Sequence, residues 1–159
     1  MNLQSSSADS FYVSCSFMSS KDVYYPDNKP NEFRLKFCRP LVLEGYWKVC
    51  ICDINFTGIS HNTSEETIGI KYLVNFSSCD GLYIDGLSTN TFRCFPRARE
   101  QHLVFKHLFY MPVNTVYLNT CELEVQVRDG KGKLLPITCE KDKSIIYISL
   151  HFKRFGLRR

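Results

Sequence analysis

Apolar and polar residues take turns along much of this chain, and the period is two. In 122–128, Leu123, Val125 and Val127 point one way while Glu122, Glu124, Gln126 and Arg128 point the other, the signature of a half-buried strand. Phe11, Val13, Cys15 and Phe17 share one face in 11–17. In 32–38, Phe33, Leu35 and Phe37 face inward while Arg34 and Lys36 face outward. The run 46–56 is apolar on both sides, with Trp47, Val49 and Ile51 on one face and Cys50, Cys52, Ile54 and Phe56 on the other. Such a strand is expected in a central place, covered twice. Runs at 70–76, 89–95, 102–110 and 144–153 bring the number to eight. In the last of these Ile146, Leu150 and Phe152 alternate, with Ile148 between them.

The segments between the runs carry turn chemistry. Glu44-Gly45, Cys79-Asp80-Gly81 and Asp129-Gly130 place glycine where the chain must reverse, and at Asp129-Gly130 the glycine is expected to supply a positive φ. Pro26 and Pro30 exclude a central strand between Met18 and Asn31, and Pro112 with Asn114 marks another corner. No stretch shows a helical period. Regularly spaced strands with turn signals predict an all-β fold, a single eight-stranded antiparallel β-sandwich of jelly-roll type. Strand number alone leaves an immunoglobulin-like arrangement open.

With 159 residues the chain suits one domain. The expected division is a Ser-rich flexible arm over 1–10, one jelly-roll domain over 11–154, and a basic tail over 155–159. The start of the chain has neither the basic nor the apolar region of a secretory signal, so the eight cysteines are expected as reduced thiols. Cys15, Cys50, Cys52, Cys94 and Cys121 lie in apolar runs, as small buried hydrophobes do. Asn55, Asn62 and Asn75 begin glycosylation sequons, read here as chance matches. No apolar run approaches the roughly 18 residues of a membrane span.

Candidate chemistry changes this picture little. Cys50 and Cys52 have no second pair at zinc-ligand spacing, and His102 and His107 are expected on opposite strand faces. His151 is expected on the outer face of the last strand beside Lys153. Neither a nucleophile elbow nor a phosphate-cradling glycine loop is present. The expectation is therefore a protein that is not an enzyme and takes no cofactor or metal. Tyr24, Tyr25, Tyr83, Phe109 and Tyr110, at loops and strand ends, are the candidate interface aromatics. Arg97, Arg99, Lys153, Arg154, Arg158 and Arg159 are the candidate contacts to phosphate or to an acidic partner, within a net charge of +4.

An ordered series of segments resembles a known family. Phe11-Tyr-Val-Ser, Tyr24-Tyr-Pro-Asp-Asn28, Glu32-Phe-Arg-Leu-Lys-Phe and Pro40-Leu-Val-Leu-Glu-Gly-Tyr-Trp-Lys-Val49 come first, then Asp53-Ile54. Leu108-Phe-Tyr-Met-Pro-Val113, Leu123-Glu-Val-Gln-Val-Arg-Asp-Gly-Lys-Gly132 and Ile146-Tyr-Ile-Ser-Leu-His-Phe-Lys153 follow. The series is similar to proteins encoded by Polinton (Maverick) elements and related adintovirus- and adomavirus-like DNA viruses of animals. It covers the chain from about Phe11 to Arg154. Lys48 stands where that family usually has an acidic residue.

The resemblance implies a virion component of the single jelly-roll minor capsid class. Such proteins form pentameric vertices beside a double jelly-roll major capsid protein. A homo-oligomer follows, pentamer favoured over trimer, with the major capsid protein and packaged DNA as partners and no membrane. Synthesis in the host cytosol or nucleus would precede incorporation. Two rival readings are a trimeric attachment head that binds a receptor and a nucleic-acid-binding module that uses the Arg93–Arg99 patch and the basic C-terminal tail, Lys153–Arg159.

Overall fold

The computed structural model describes residues 9–20, 24–57, 59–61, 69–84, 86–96, 101–139 and 145–156. In chain order the strands are β1 (Ser10–Cys15), β2 (Glu32–Val42), β3 (Tyr46–Thr57), β4 (Ile59–His61), β5 (Lys71–Phe76), β6 (Tyr83–Ile84) and β7 (Leu87–Ser88). These are followed by β8 (Thr91–Pro96), β9 (His102–Val104), β10 (Met111–Pro112), β11 (Tyr117–Arg128), β12 (Leu134–Leu135), β13 (Ile137–Cys139) and β14 (Ile145–Gly156). One 3-10 turn, Phe17–Ser20, follows β1 and takes Phe17 out of the strand expected there.

Two antiparallel sheets face each other. The first runs β1-β14-β3, with β10 and β9 sharing the far edge of β3; the second runs β2-β11-β5-β8, with β12 beside β2 along β11. The eight expected strands correspond to β1, β2, β3, β5, β8, the β9–β10 pair, β11 and β14. In that numbering the sheets read first-eighth-third-sixth and second-seventh-fourth-fifth. This interleaving is the jelly roll, and it removes the immunoglobulin-like alternative.

The core lies between the sheets. Inward residues of the first sheet (Cys15, Val49, Ile148, Leu150, Phe152) meet those of the second (Phe33, Val74, Phe76, Leu123, Val125). The Phe152 ring meets Phe76 edge-on at 6.4 Å and stacks on Phe11 at 4.8 Å, geometries that aromatic quadrupoles favour.

Alternation breaks at one place that matters. Leu150 pairs with Ile51 and Ser149 with Asp53, so Cys52 is an extra residue in β3. A bulge of one residue reverses which parity faces in. Trp47, Val49 and Ile51 face the core as expected, but beyond the bulge Ile54 is fully buried in the core and Phe56 packs against it. They do not share the outer face with Cys50. The same bulge divides the neighbouring strand: β9 pairs with residues 53–55 of β3 and β10 with 48–49. Of the expected strand over 102–110 only 102–104 is strand; residues 105–110 lead across the gap to β10 at 111–112, where Pro112 was expected to mark a corner.

Four other expectations change. β11 starts at Tyr117, earlier than expected. β2 runs on to Val42 because residues 37–40 bow out opposite Asn119, where Pro40 owes no ladder bond. After Arg128 the positive φ falls on Gly132 (82°) and not on Gly130, since the Asp129 carboxylate accepts from the Lys131 and Lys133 amides at 2.9 Å each and widens the turn. Cys94 is exposed, a change from the buried role expected of it; it pairs with Leu73 on the outer side of an edge strand.

Candidate interface surfaces

The outer face of the first sheet is built in rows by strand register. In one row Tyr12 of β1, His151 of β14 and Cys50 of β3 stand side by side. Tyr12 is 72 % exposed and stacks on the His151 ring at 4.3 Å. Tyr110, reaching over from the 105–110 segment, has its hydroxyl 2.8 Å from His151 Nδ1. Burial, then the charge of Lys153, lowers the His151 pKa, so the neutral ring accepts that hydrogen bond from the phenol. Beneath Tyr110 the Cys50 thiol is fully covered, and burial raises its pKa despite hydrogen bonds from its neighbours.

In the next row Lys153 of β14 lies directly opposite Lys48 of β3. Both ammonium groups approach the Phe155 ring, at 5.4 and 4.9 Å, and Lys48 also lies 5.4 Å from the Tyr46 ring. Among the described residues no carboxylate pairs with either lysine. Arg154 differs: it points inward at the end of the sandwich, beside Trp47, and is salt-bridged to Asp9.

The open side of the sandwich, between β8 and β9, is closed by a cation. Arg93 stands opposite the inward-facing Val74. Its guanidinium lies 4.0 Å from the Phe105 ring centre and 4.7 Å from that of Phe109, and Nη1 donates to the His107 carbonyl at 2.9 Å. Phe109 nevertheless remains 59 % exposed.

The outer face of the second sheet carries a hollow of about 330 Å³ floored by Asn75 and walled by Glu32, Arg34, Glu122 and Glu124. Arg34 pairs with Glu122 at 3.2 Å and also lies over the Tyr25 ring; Lys36 lies 4.2 Å over Tyr24. Glu32 and Glu124 are direct cross-strand partners, and among the described residues neither forms an ion pair. Glu124 accepts from the amides of Asn75 and Gln126 instead. Asn28 closes one rim, donating to the Phe17 and Arg34 carbonyls and accepting from the Arg34 amide. Asn75 is buried and also accepts from Thr91, a position that leaves no room for a glycan.

The candidate residues therefore separate. Tyr24 and Tyr25 sit beside the hollow on the second sheet, whereas Phe109 and Tyr110 belong to the segment over the first. Tyr83 is in β6, and its side chain lies outside the description. Lys153 is exposed and Arg154 is engaged. Arg97, Arg99, Arg158 and Arg159, together with residues 1–8 of the expected arm, lie outside the described residues. Sequence reasoning missed Tyr12, Tyr46, Lys48 and Phe155 as surface residues, and it counted Arg93 in a basic patch where the structure uses it as a clamp. Two of them were open to it, since Tyr12 and Lys48 occupy outward positions of strands whose inward positions were recognised, whereas Phe155 lies past the expected end of the last strand. Among the described residues no group of three or more His, Cys, Asp or Glu gathers as metal ligands do. The seven described thiols are free, and burial pushes Cys15 and Cys79 up to about 12, which makes them poor nucleophiles.

No family model and no curated protein matches this chain. Among solved structures it is similar to the penton protein of mavirus, with a TM-score of 0.54 and 8 % identity, over 91 % of this chain and 99 % of that one. The likeness is one of fold. A second structure, of the infectious bursal disease virus Gx strain, shares 10 % identity over 94 % of this chain and 36 % of that one at a TM-score of 0.22, too low to carry an argument.

Proposed function

We propose that this chain is a structural virion protein: a single jelly-roll, penton-like minor capsid subunit that self-assembles and contacts the major capsid protein. The observation that carries the reading is the fold match with a penton protein, which spans 91 % of this chain and 99 % of that one. The ordered sequence resemblance to virion proteins of Polinton-like elements points the same way. The mechanism is burial of surface, on the order of 800 Å² per partner, by a rigid sandwich whose outer faces carry exposed rings and charges. It is not an enzymatic mechanism and uses no cofactor. Assembly takes place after synthesis in the host cell, and the finished protein resides in the particle.

Native mass spectrometry and sedimentation of the purified protein, alone and mixed with its major capsid protein, test this. A closed ring, five-membered in this reading, or recruitment by the major capsid protein is expected. A species that stays monomeric at high concentration and is not recruited would overturn the proposal.

A further inference from the structure

Two features of the outer faces are each unfavourable in an isolated subunit. On the first sheet Lys48 and Lys153 are direct cross-strand neighbours; on the second, Glu32 and Glu124 are. Like charges placed directly opposite on one face of an antiparallel pair repel. Neither pair is relieved by an ion of opposite sign among the described residues. A further like-charged pair, Lys71 and Arg128, lies on the second sheet, where Arg128 is engaged by Gln126 and the Gly132 carbonyl; the Lys48–Lys153 and Glu32–Glu124 pairs lie back to back across the sandwich.

They also lie at the same level. Lys153 follows Phe152, and Phe152 meets Phe76 across the core. Phe76 is aligned with Leu123, the residue before Glu124, and Leu123 is aligned with Phe33, the residue after Glu32. The two charged pairs thus flank a single layer of the core, one on each outer face. A contact that joins one face of a subunit to the opposite face of the next is heterologous; equal height keeps successive subunits level, and a ring forms where the rotation between neighbours closes.

We propose that the Lys48–Lys153 face of one copy of this chain docks on the Glu32–Glu124 face of a second copy, head to tail. This rests on the self-assembly reading above and assigns its surfaces. The four charges meet as two attractive pairs, which removes both repulsions at once. Around the lysines Tyr12, Tyr46 and Phe155 are partly exposed and supply the apolar ring area that a charge contact alone lacks. The hollow beside Glu124 receives the protruding partner. The faces pair with each other and not with themselves, so the contact specifies direction as well as affinity.

The test uses the full chain in three variants: Lys48→Glu with Lys153→Glu, Glu32→Lys with Glu124→Lys, and all four together. Circular dichroism and thermal melting establish that each is folded. Each two-site variant is expected to self-associate about tenfold or more weakly than wild type, and the four-site exchange to recover association. A single Lys153→Glu should hold or raise the melting temperature of the subunit while weakening assembly, a split that a purely structural role for Lys153 does not produce. If wild type assembles and the two-site variants assemble equally well, the docking assignment is wrong although self-assembly stands. If wild type is monomeric throughout, both fall. If the lysine variant loses binding to the major capsid protein or to a DNA oligonucleotide but still self-associates, the face belongs to that partner and the head-to-tail contact is overturned.

Discussion

β3 has material packed on both of its faces, and the two layers are held by different physics. On the inner side Trp47, Val49, Ile51 and Ile54 enter a continuous apolar core with partners from every long strand of both sheets. On the outer side Cys50 is just as inaccessible, but it is covered by one six-residue segment, 105–110. That segment is fastened by a few contacts: the Phe105 amide to the Cys52 carbonyl, the Phe105 ring edge-on to Phe95, Arg93 against Phe105, Phe109 and the His107 carbonyl, and Tyr110 against His151 and Phe155. Burial alone does not distinguish the layers. The number of independent supports does, and it decides how each responds to a single change.

The inner layer should fail globally. Phe152→Ala removes a fully buried ring that stacks on Phe11 and meets Phe76. The expected cost is about 3–5 kcal/mol, read as a lower urea midpoint at unchanged slope. Phe109→Ala trims an exposed ring and should cost less than about 1 kcal/mol in the same assay. Equal effects would show that the cover is as integral as the core.

A backbone approach gives the next largest effect. A Cβ on Gly81 would meet the Thr89 carbonyl oxygen at 2.2 Å and the Thr91 nitrogen at 2.6 Å, and backbone atoms do not yield as a flexible side chain does. Gly81→Ala should cost roughly 1–3 kcal/mol, whereas alanine at Gly86, with nothing within 4 Å, meets only the strain of its left-handed φ. A melting temperature for Gly81→Ala within a degree of wild type would show that the turn has room to shift.

The outer layer should fail locally. Arg93→Met keeps an apolar stem but loses the cation over both rings and the bond to the His107 carbonyl. A cation–π contact contributes about 0.5–2 kcal/mol, depending on desolvation, and this guanidinium is shielded enough for burial to lower its pKa. The expected result is faster amide exchange at Phe105, with global stability reduced by about 1–2 kcal/mol. Uniform acceleration of exchange across β3 would mean that the segment and the core open together.

The same contrast explains what the sequence could tell. Period-two alternation reports inward positions, so the eight strands and nearly all of the core were legible, down to Phe33, Leu123, Ile146 and Phe152. It is blind to an inserted residue: Cys52 reverses parity within β3 without leaving a mark in residue type, and Ile54 and Phe56 were put on the wrong face. The cover was illegible for a related reason, since Arg93 is far from Phe105 and Phe109 in sequence only modestly but belongs to the other sheet, and nothing local marks it as a clamp. Aromatic candidates chosen from loops caught Phe109 and Tyr110. They missed Tyr12, which lies outward within a strand where inward neighbours draw notice, and Phe155, which was expected in the tail and belongs to β14. The charge pairs Lys48–Lys153 and Glu32–Glu124 exist only through register, which no single strand contains.

The smallest expected effect separates the layers by pH. His151 faces Tyr12 from β1, Cys50 from β3 and Tyr110 from the covering segment, with Lys153 two residues along its own strand. Burial and Lys153 both favour its neutral form, so its folded pKa lies below the ordinary value near 6.5. Between the folded and unfolded values the unfolded chain holds a proton that the folded chain does not, and stability there rises with pH. As pH falls through about 6.5, stability should therefore be lost, while above that value this group contributes no slope. His151→Gln keeps a side-chain acceptor for Tyr110 and does not titrate. The difference in unfolding free energy between wild type and His151→Gln should be flat above neutrality and should turn against wild type below it. A difference that stays level down to pH 5 would mean that the imidazolium is accommodated, with the Tyr110 hydroxyl turning from donor to acceptor at no net cost. The outer layer would then be adaptable where the inner one is not.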